Sequence, residues 1–144
     1  MKPSQVGKLG ERLAEDFLRG KGIKILSRNF AVHGGEIDLV GYRRGVLIFV
    51  EVKTRTGNAW GTGAEAMGEE KLRCVEKAAK AFLRTHAPHG KLSVPFWFGT
   101  WVPATIRHMR VDGVEVNLHP DGTPKSINHL EDMGYEIRQH PRKD

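Results

Sequence analysis

Cysteine is almost absent from this sequence of 144 residues, in which Cys74 is the only one. A single cysteine excludes an intramolecular disulfide and a thiolate-rich metal site, and it fits a reducing, cytoplasmic setting. Long hydrophobic runs are also missing, since none approaches the ~18 residues that span a bilayer. No apolar segment follows the first residues, and we therefore expect neither a membrane anchor nor a signal peptide.

Acidic residues are in the minority, because 17 of them stand against 23 lysines and arginines, for a net charge of +6. A small basic protein favours a polyanionic partner such as nucleic acid, although solubility alone also accounts for such a charge. The length and the 39% of hydrophobic residues predict one domain over residues 1–138, with a flexible tail at 139–144.

Hydrophobic periodicity predicts a helix over residues 4–20, with Ser4 as its N-cap. Strands are predicted at 23–30, 36–42 and 46–54, followed by a glycine-rich loop from Gly57 and a long helix over about 64–86. Residues 106–118 predict a strand pair or one strand bulged at Gly113. This order predicts an α/β fold in which strand 106–112 runs parallel to strand 46–54 in a mixed sheet.

An aromatic run lies between Pro95 and Pro103, within residues 91–105. This segment reads as an edge strand, a lid or an interface segment. Trp97 and Trp101 could stack on nucleic acid bases, although packing in a core or at a dimer interface is the more usual role of such a run.

Charged residues interrupt the two central strands, which should otherwise be apolar. Alternation along a strand places Glu36 and Asp38 on one face of the first strand, and Glu51 and Lys53 on one face of the second. A two-residue turn at Arg44–Gly45 would pair Asp38 with Glu51 and Glu36 with Lys53, whereas a longer loop would move these partners. Buried charges are costly unless they are paired or coordinate a metal.

Two directly opposed carboxylates have Cβ atoms ~4.5–5.5 Å apart and repel unless a cation lies between them. Mg²⁺ commonly takes one or two carboxylates together with water and phosphate. The sequence therefore predicts an Mg²⁺ or Mn²⁺ site at Asp38 and Glu51, with Lys53 placed to contact a phosphate oxygen or a nucleophilic water. A salt-bridged strand pair is the alternative; it explains Glu36 with Lys53 well and Asp38 opposite Glu51 poorly.

These residues belong to an ordered set that resembles the YraN-like family of bacterial proteins. Within it, Asp38 and Glu51-Val52-Lys53 resemble the motif of the PD-(D/E)XK nuclease superfamily. The resemblance extends over about residues 5–86 and implies a restriction-endonuclease-like αβββαβ core, similar to archaeal Holliday junction resolvases. It is carried by Gly7–Glu11, Arg28–Asn29, Gly35–Val40, Phe49–Arg55 and Lys71.

The superfamily's third landmark is a strand of the type Arg-Phe-Asp-Val-Val after the long helix. Arg110–Val116 matches it with departures at Val111 and Gly113, which would make residues 91–105 an insertion. An alternative alignment uses Phe96–Gly99 and loses both charges.

Further residues take roles around this centre. The resemblance implies Glu11 as an additional metal ligand, and an ordinary boundary glutamate is the alternative. Lys71 is placed to contact the scissile phosphate, although solvated lysines are common on helices. Arg55 is a candidate phosphate contact because guanidinium matches phosphate geometry, and further backbone contacts are predicted for Arg28, Arg43 and Arg44.

The predicted function is that of a metal-dependent nuclease acting on nucleic acid, with DNA favoured over RNA. Branched DNA is the substrate class implied by the resemblance, and a homodimer would suit a two-strand cut. One alternative is a nucleic-acid-binding module that keeps the nuclease fold without turnover. Another is a protein-interaction module that uses residues 91–105 as its contact surface.

Overall fold

Two α-helices, seven strands and one 3₁₀ turn (Trp97–Gly99) are present in the part of the chain that the computed structural model describes, residues 1–57 and 68–133. The predicted loop beyond Gly57, the first residues of the predicted 64–86 helix and the predicted tail lie outside these ranges. The elements are α1 (Pro3–Gly20), β1 (Lys24–Val32), β2 (Gly35–Arg43), β3 (Val46–Thr56), α2 (Glu69–His86), β4 (Lys91–Pro95), β5 (Trp101–Thr105), β6 (His108–Leu118) and β7 (Pro124–Leu130).

Five of the strands form one mixed sheet in the order β1-β2-β3-β6-β7. β3 and β6 pair in parallel, which confirms the predicted arrangement of those two segments, and the other neighbouring pairs are antiparallel. β4 and β5 form a separate two-stranded hairpin. The result is a mixed α/β fold, consistent with a restriction-endonuclease-like core.

The central strands are apolar because each helix covers one face of the sheet. Alternate residues of β3 contribute to two hydrophobic clusters, Leu47 and Phe49 to one and Ile48 and Val50 to the other. The first cluster contains residues of α2 and the second contains residues of α1. Strands that are buried on both faces lose the usual alternation of polar and apolar residues. No helix of the described ranges has the length and apolarity that crossing a bilayer requires.

The first helix begins one residue earlier than predicted, and its N-cap is Lys2 rather than Ser4. Pro3 explains the difference, since proline suits the first helical position, where no backbone N–H is needed. The Gln5 side chain accepts a hydrogen bond from the Lys2 backbone N–H at 2.9 Å. At the other end the chain leaves the helix through Gly22, whose φ of 83° is readily adopted by glycine.

The second helix runs from Glu69, with Gly68 as its N-cap, and the part of the prediction that covers residues 64–67 lies outside the described ranges. Within residues 106–118 there is one strand, β6 (His108–Leu118), rather than a pair. The parallel ladder with β3 continues through Gly113 without a register shift, so the predicted bulge there is wrong. A Cβ at Gly113 would lie 2.5 Å from the Met133 sulfur. Glycine at this position leaves room for the Met133 side chain and does not mark a bulge.

Candidate active site where two strands separate

The candidate site lies at the point where β2 and β3 stop pairing. From the turn at 44–45 the two strands follow the predicted register as far as Leu39 and Val50. Beyond this pair, the ladder of β2 continues with β1 and that of β3 continues with β6. Glu36 and Lys53 both lie beyond the end of the shared ladder, so the prediction that they face each other as strand partners is wrong.

Asp38 stands at this branch point and accounts for it. Its Oδ2 accepts a hydrogen bond from the Val52 backbone N–H at 2.8 Å, where a longer ladder would supply a backbone carbonyl of β2. Burial raises the pKa of Asp38, and the hydrogen bond from Val52 opposes that rise. The carboxyl group of Asp38 is also within hydrogen-bonding reach of the Glu51 side chain. The two acids therefore meet as predicted, although this pair too lies beyond the last ladder pair.

Glu51 is the more strongly perturbed member of the pair. Burial, together with the nearby charge of Asp38, raises its pKa to about 7, while the ammonium group of Lys71 opposes the rise. Lys71 Nζ lies 3.0 Å from Glu51 Oε1. The second oxygen, Oε2, is buried and receives no hydrogen bond when both carboxylates are ionised. A proton shared with Asp38, or a cation, would satisfy that oxygen.

The position of Lys71 depends on how closely α2 approaches β2. A Cβ at Gly35 would lie 2.3 Å from the backbone oxygen of Cys74, so only glycine permits this approach. Burial disfavours the charged form of Lys71, but its hydrogen bond to Glu51 prevails and the pKa of Lys71 is raised. Its ammonium group also lies 3.8 Å from the exposed carboxylate of Glu36. Lys71 therefore links the two helix-facing carboxylates of the site.

A second close approach brings α1 to the same place. A Cβ at Gly10 would lie 1.8 Å from Thr54 Oγ1, so glycine allows this part of α1 to touch β3. The next residue, Glu11, consequently borders the site, and burial followed by the charge of Asp38 raises its pKa. A hydrogen bond from Asn29 acts in the opposite direction. Glu11 also lines an open cavity of about 370 Å³ between α1 and β3.

The donor set of the site fits a hydrated divalent cation. No group of three or more His, Cys, Asp or Glu side chains is gathered for a metal within residues 1–57 and 68–133. Glu11 is thus near the pair without joining it, and the two acids in contact are Asp38 and Glu51. Two carboxylates suit Mg²⁺, which keeps several waters and seldom uses a cage made of protein alone. The buried Oε2 of Glu51, which accepts no hydrogen bond, is also suited to a cation.

The predicted phosphate contacts are spread over different surroundings. Arg55 is largely buried, and its Nε lies 3.7 Å from Oε1 of the buried Glu115. Arg28 is held by Glu15 through two hydrogen bonds, of which the one from Nη2 measures 2.9 Å. Lys53 is exposed on the strand face that carries Glu51, and it is the member of this group nearest to the carboxylate pair along β3.

Arg43 and Arg44 are exposed in the tight turn between β2 and β3, at the far end of the ladder from the carboxylate pair. Arg44 lines a second open cavity of about 350 Å³, together with Tyr42, Thr105 and Arg107. Arg107 was not identified by the sequence reasoning. Its only signal was a basic residue two positions after the aromatic segment 91–105, and its position beside the turn depends on tertiary structure.

A buried network around Asp112 was also missed. Asp112 is fully buried and accepts hydrogen bonds from Arg110 Nε at 3.0 Å and from the Asp132 backbone N–H at 2.9 Å. His129 Nε2 lies 2.7 Å from it, and His129 Nδ1 lies 2.8 Å from Lys21 Nζ. Burial alone would raise the pKa of Asp112, but these hydrogen bonds hold it below its usual range. The network connects β6, β7 and the end of α1.

Comparisons with known proteins identify relatives over most of the chain. The model of the uncharacterised protein family UPF0102 matches residues 10–116. A UPF0102 protein of Symbiobacterium thermophilum is 38% identical over 118 residues, covering 82% of this chain and 86% of that protein. One of Caldanaerobacter subterraneus subsp. tengcongensis is 34% identical over 126 residues, covering 87% and 90%. One of Renibacterium salmoninarum is 35% identical over 130 residues, covering 90% and 96%.

Proposed function

We propose that this chain, which belongs to the UPF0102 (YraN-like) family, is a metal-dependent nuclease that hydrolyses phosphodiester bonds of nucleic acid. The names of its relatives give no activity, so the proposal rests on the site itself. The observation that carries it is the pair of interacting carboxyl groups, Asp38 and Glu51, at the point where two strands separate. Membership of the PD-(D/E)XK superfamily is part of this proposal, with Glu51-Val52-Lys53 as the second half of the motif.

Asp38 and Glu51 are the residues that would hold Mg²⁺ or Mn²⁺. When bound, such an ion lowers the pKa of a water and neutralises charge that develops on the phosphate. Because the pKa of Glu51 is about 7, protons compete with the cation for this carboxylate near neutral pH. The hydrogen bond from Val52 keeps the Asp38 carboxylate in place, and it does so independently of that competition.

The two lysines take different roles in this proposal. Lys71 donates to Glu51 Oε1 and so orients the carboxylate, which makes it a positioning residue. Lys53 is exposed and lies two residues beyond Glu51 on the same strand face. Its ammonium group is therefore the candidate for contacting a phosphate oxygen or orienting the attacking water. Hydrolysis adds one water across a P–O bond and releases a phosphate monoester and a hydroxyl end.

The basic character of the chain supports a nucleic acid substrate, with DNA favoured. The sequence has 23 lysines and arginines against 17 acidic residues, and several long stretches of it contain no acidic residue. Cations that contact phosphates release counterions, so binding should weaken steeply as salt increases. Branched DNA stays a proposal that rests on the resemblance to resolvases alone.

The test is a cleavage assay with end-labelled single-stranded, duplex and branched DNA and with RNA. Each substrate is incubated with Mg²⁺, Mn²⁺ or a chelator. We expect metal-dependent cleavage by the wild type and its loss, by about 100-fold or more, in Asp38→Asn and Glu51→Gln. Glu36→Gln is the matched control, because this exposed carboxylate neighbours Lys71 without belonging to the pair, and it should retain most of the activity.

Cleavage that survives equally in all three variants would identify a contaminating nuclease and overturn the proposal. Binding without cleavage in every metal would also overturn it and would favour a binding module that keeps the fold. The same variants can be compared by thermal unfolding with and without Mg²⁺, which reports metal binding without any turnover.

A further inference from the structure

The hairpin of β4 and β5 carries an exposed group of aromatic side chains, here called the aromatic tip, which comprises residues 96–101. These rings are not part of the hydrophobic core, and no other described element buries them. The exposed fractions are 54% for Phe96, 69% for Trp97, 98% for Phe98 and 59% for Trp101. Large aromatic residues are normally among the more buried ones, so this concentration on one short segment calls for a ligand or partner.

The aromatic tip is held in place by its own backbone. The Phe96 N–H donates to the Thr100 carbonyl at 2.8 Å, and the Thr100 N–H donates to the Trp97 carbonyl at 3.1 Å. Lys24 Nζ donates to the Pro95 carbonyl at 2.7 Å and lies 5.4 Å from the centre of the Phe96 ring. The rings therefore project from a fixed support, which limits the entropy that a ligand would lose on ordering them.

The rings of the tip are not stacked face to face on one another. Phe96 and Trp97 meet edge to face, with centroids 6.5 Å apart and planes at 79°. Trp97 and Phe98 have centroids 6.4 Å apart and planes at 42°, so they do not stack on each other either. Because Trp97 and Phe98 are also the most exposed rings of the tip, their surfaces are accessible to flat ligands such as nucleic acid bases, which stack on aromatic side chains.

The sequence around the hairpin contains cations and no acids. Residues 77–111 include no Asp or Glu, and neither do residues 17–35 or 39–50, which supply β1 and the paired part of β2 and β3. The base of the hairpin adds the cavity shared by Arg44 and Arg107. Lys24 stands beside the tip itself. This charge distribution complements a polyanion and does not favour a partner that presents lysine and arginine.

The size of the aromatic tip argues against a stable dimer formed through it alone. Aromatic residues bury about 150–250 Å² each, so four partly exposed rings offer roughly 500 Å². A specific protein interface needs about 800 Å² from each partner. The same area is ample for two or three stacked bases, each of which contributes about 1–3 kcal/mol when an aromatic residue is present.

We infer that the aromatic tip binds unpaired bases of a nucleic acid strand, so that the preferred substrates contain a single-stranded segment. This inference rests on the proposed function in taking nucleic acid as the ligand, and it adds which form of nucleic acid is recognised. Lys24, beside the tip, is opposite Tyr42 in the β1–β2 ladder. Asp38 lies four residues from Tyr42 along β2, about 13 Å away at ~3.3 Å per residue. A single nucleic acid strand can therefore extend from the aromatic tip to the carboxylate pair.

The experiment measures binding without cleavage. Fluorescence anisotropy is recorded in chelator, in an Asp38→Asn background, with an oligothymidine of about 16 nucleotides and with a blunt duplex of the same length. Phe98→Leu and Trp97→Leu remove a ring but keep an apolar side chain, and Trp97→Phe keeps a ring. The leucine variants should bind the single strand between about fivefold and 140-fold more weakly, while Trp97→Phe and all duplex affinities stay close to the parent.

Equal single-strand affinity in all variants, or a parent that prefers the blunt duplex, would overturn the inference. Analytical ultracentrifugation of the same proteins tests whether a second copy of this chain binds the aromatic tip instead. A dimer that is lost in Phe98→Leu, with single-strand affinity unchanged, would assign the tip to self-association instead. This binding test does not depend on whether the protein is a nuclease. A protein that never cleaves nucleic acid can still bind the single strand more weakly in the leucine variants. Conversely, cleavage of duplex that ignores the tip would leave the nuclease proposal intact.

Discussion

Replacing Glu51 by glutamine should stabilise the protein at alkaline pH while abolishing its proposed activity. The pKa of Glu51 is about 7 in the folded chain, against an ordinary value of 4.5. An acid with a raised folded pKa contributes stability that is fully present below its ordinary pKa and is lost as pH rises through the folded value. The difference corresponds to about 3 kcal/mol, at 1.36 kcal/mol per pKa unit.

Glutamine is neutral at every pH and reproduces the shape and donor capacity of the protonated acid. Wild type and Glu51→Gln should therefore have similar free energies of unfolding near pH 4. At about pH 8 the variant should be more stable by up to ~3 kcal/mol, or roughly 6–12 °C in Tm. The assay is urea unfolding at a series of pH values between these limits, with Glu36→Gln as the control that should differ from wild type by less than ~0.5 kcal/mol.

Mg²⁺ should remove most of this difference. A ligand that binds only the folded state adds about 2.7 kcal/mol at 100 times its Kd, and the variant lacks one of the two proposed carboxylate ligands. Wild type should thus gain stability from Mg²⁺ at pH 8, and Glu51→Gln should gain little. Parallel pH profiles for the two proteins would refute the reasoning, because they would mean that Glu51 has no raised pKa and that the carboxylate pair is not a strained site.

Two further predictions concern the surroundings of the site. Gly10→Ala should destabilise the protein by about 1–3 kcal/mol in urea unfolding, because its Cβ would meet Thr54 Oγ1 at 1.8 Å. Gly7→Ala, in the same helix with no atom within 4 Å of its Cβ, should instead stabilise by up to ~1 kcal/mol; equal effects would contradict the close approach. Asp112→Ala should cost about 3–5 kcal/mol at pH 7, because it leaves buried donors without their acceptor. In wild type that contribution is present above the ordinary pKa of 3.8 and is lost as pH falls through the lowered value, so the variant should show a flatter acid limb.

Much of the fold was predictable because its signals are local. The apolar runs on either side of the Arg44–Gly45 turn predicted the two strands and their register. The structure confirms this register as far as Leu39 and Val50. The parallel placement of β6 beside β3 followed from the order of the elements, with the long helix as the crossover between them. These features depend on periodicity and on the geometry of a single turn.

The errors occurred where a distant contact decides a local feature. The glycine at position 113 suggested a bulge because of its residue type. In the structure it leaves room for the side chain of Met133, which lies twenty residues later in the chain. Lys71 approached Glu51 from another element, at a distance set by the glycine at position 35. No pattern within β2 or β3 contains that information. The exposure of the aromatic tip belongs to the same class, because an aromatic run has the same sequence whether it is buried or not.

The failed part of the register prediction is itself informative about function. Continuing the ladder past Leu39 and Val50 would have placed Glu36 opposite Lys53, an ordinary and favourable cross-strand ion pair. The chain forgoes that pairing, and at the branch point it buries two acids whose pKa values are both raised. Departures from local consistency of this kind concentrate at functional sites, because there the cost of strain is offset by what the site binds. A bound divalent cation would offset the free energy that an ionised Glu51 costs, which ties the stability experiment and the cleavage assay to the same carboxylate.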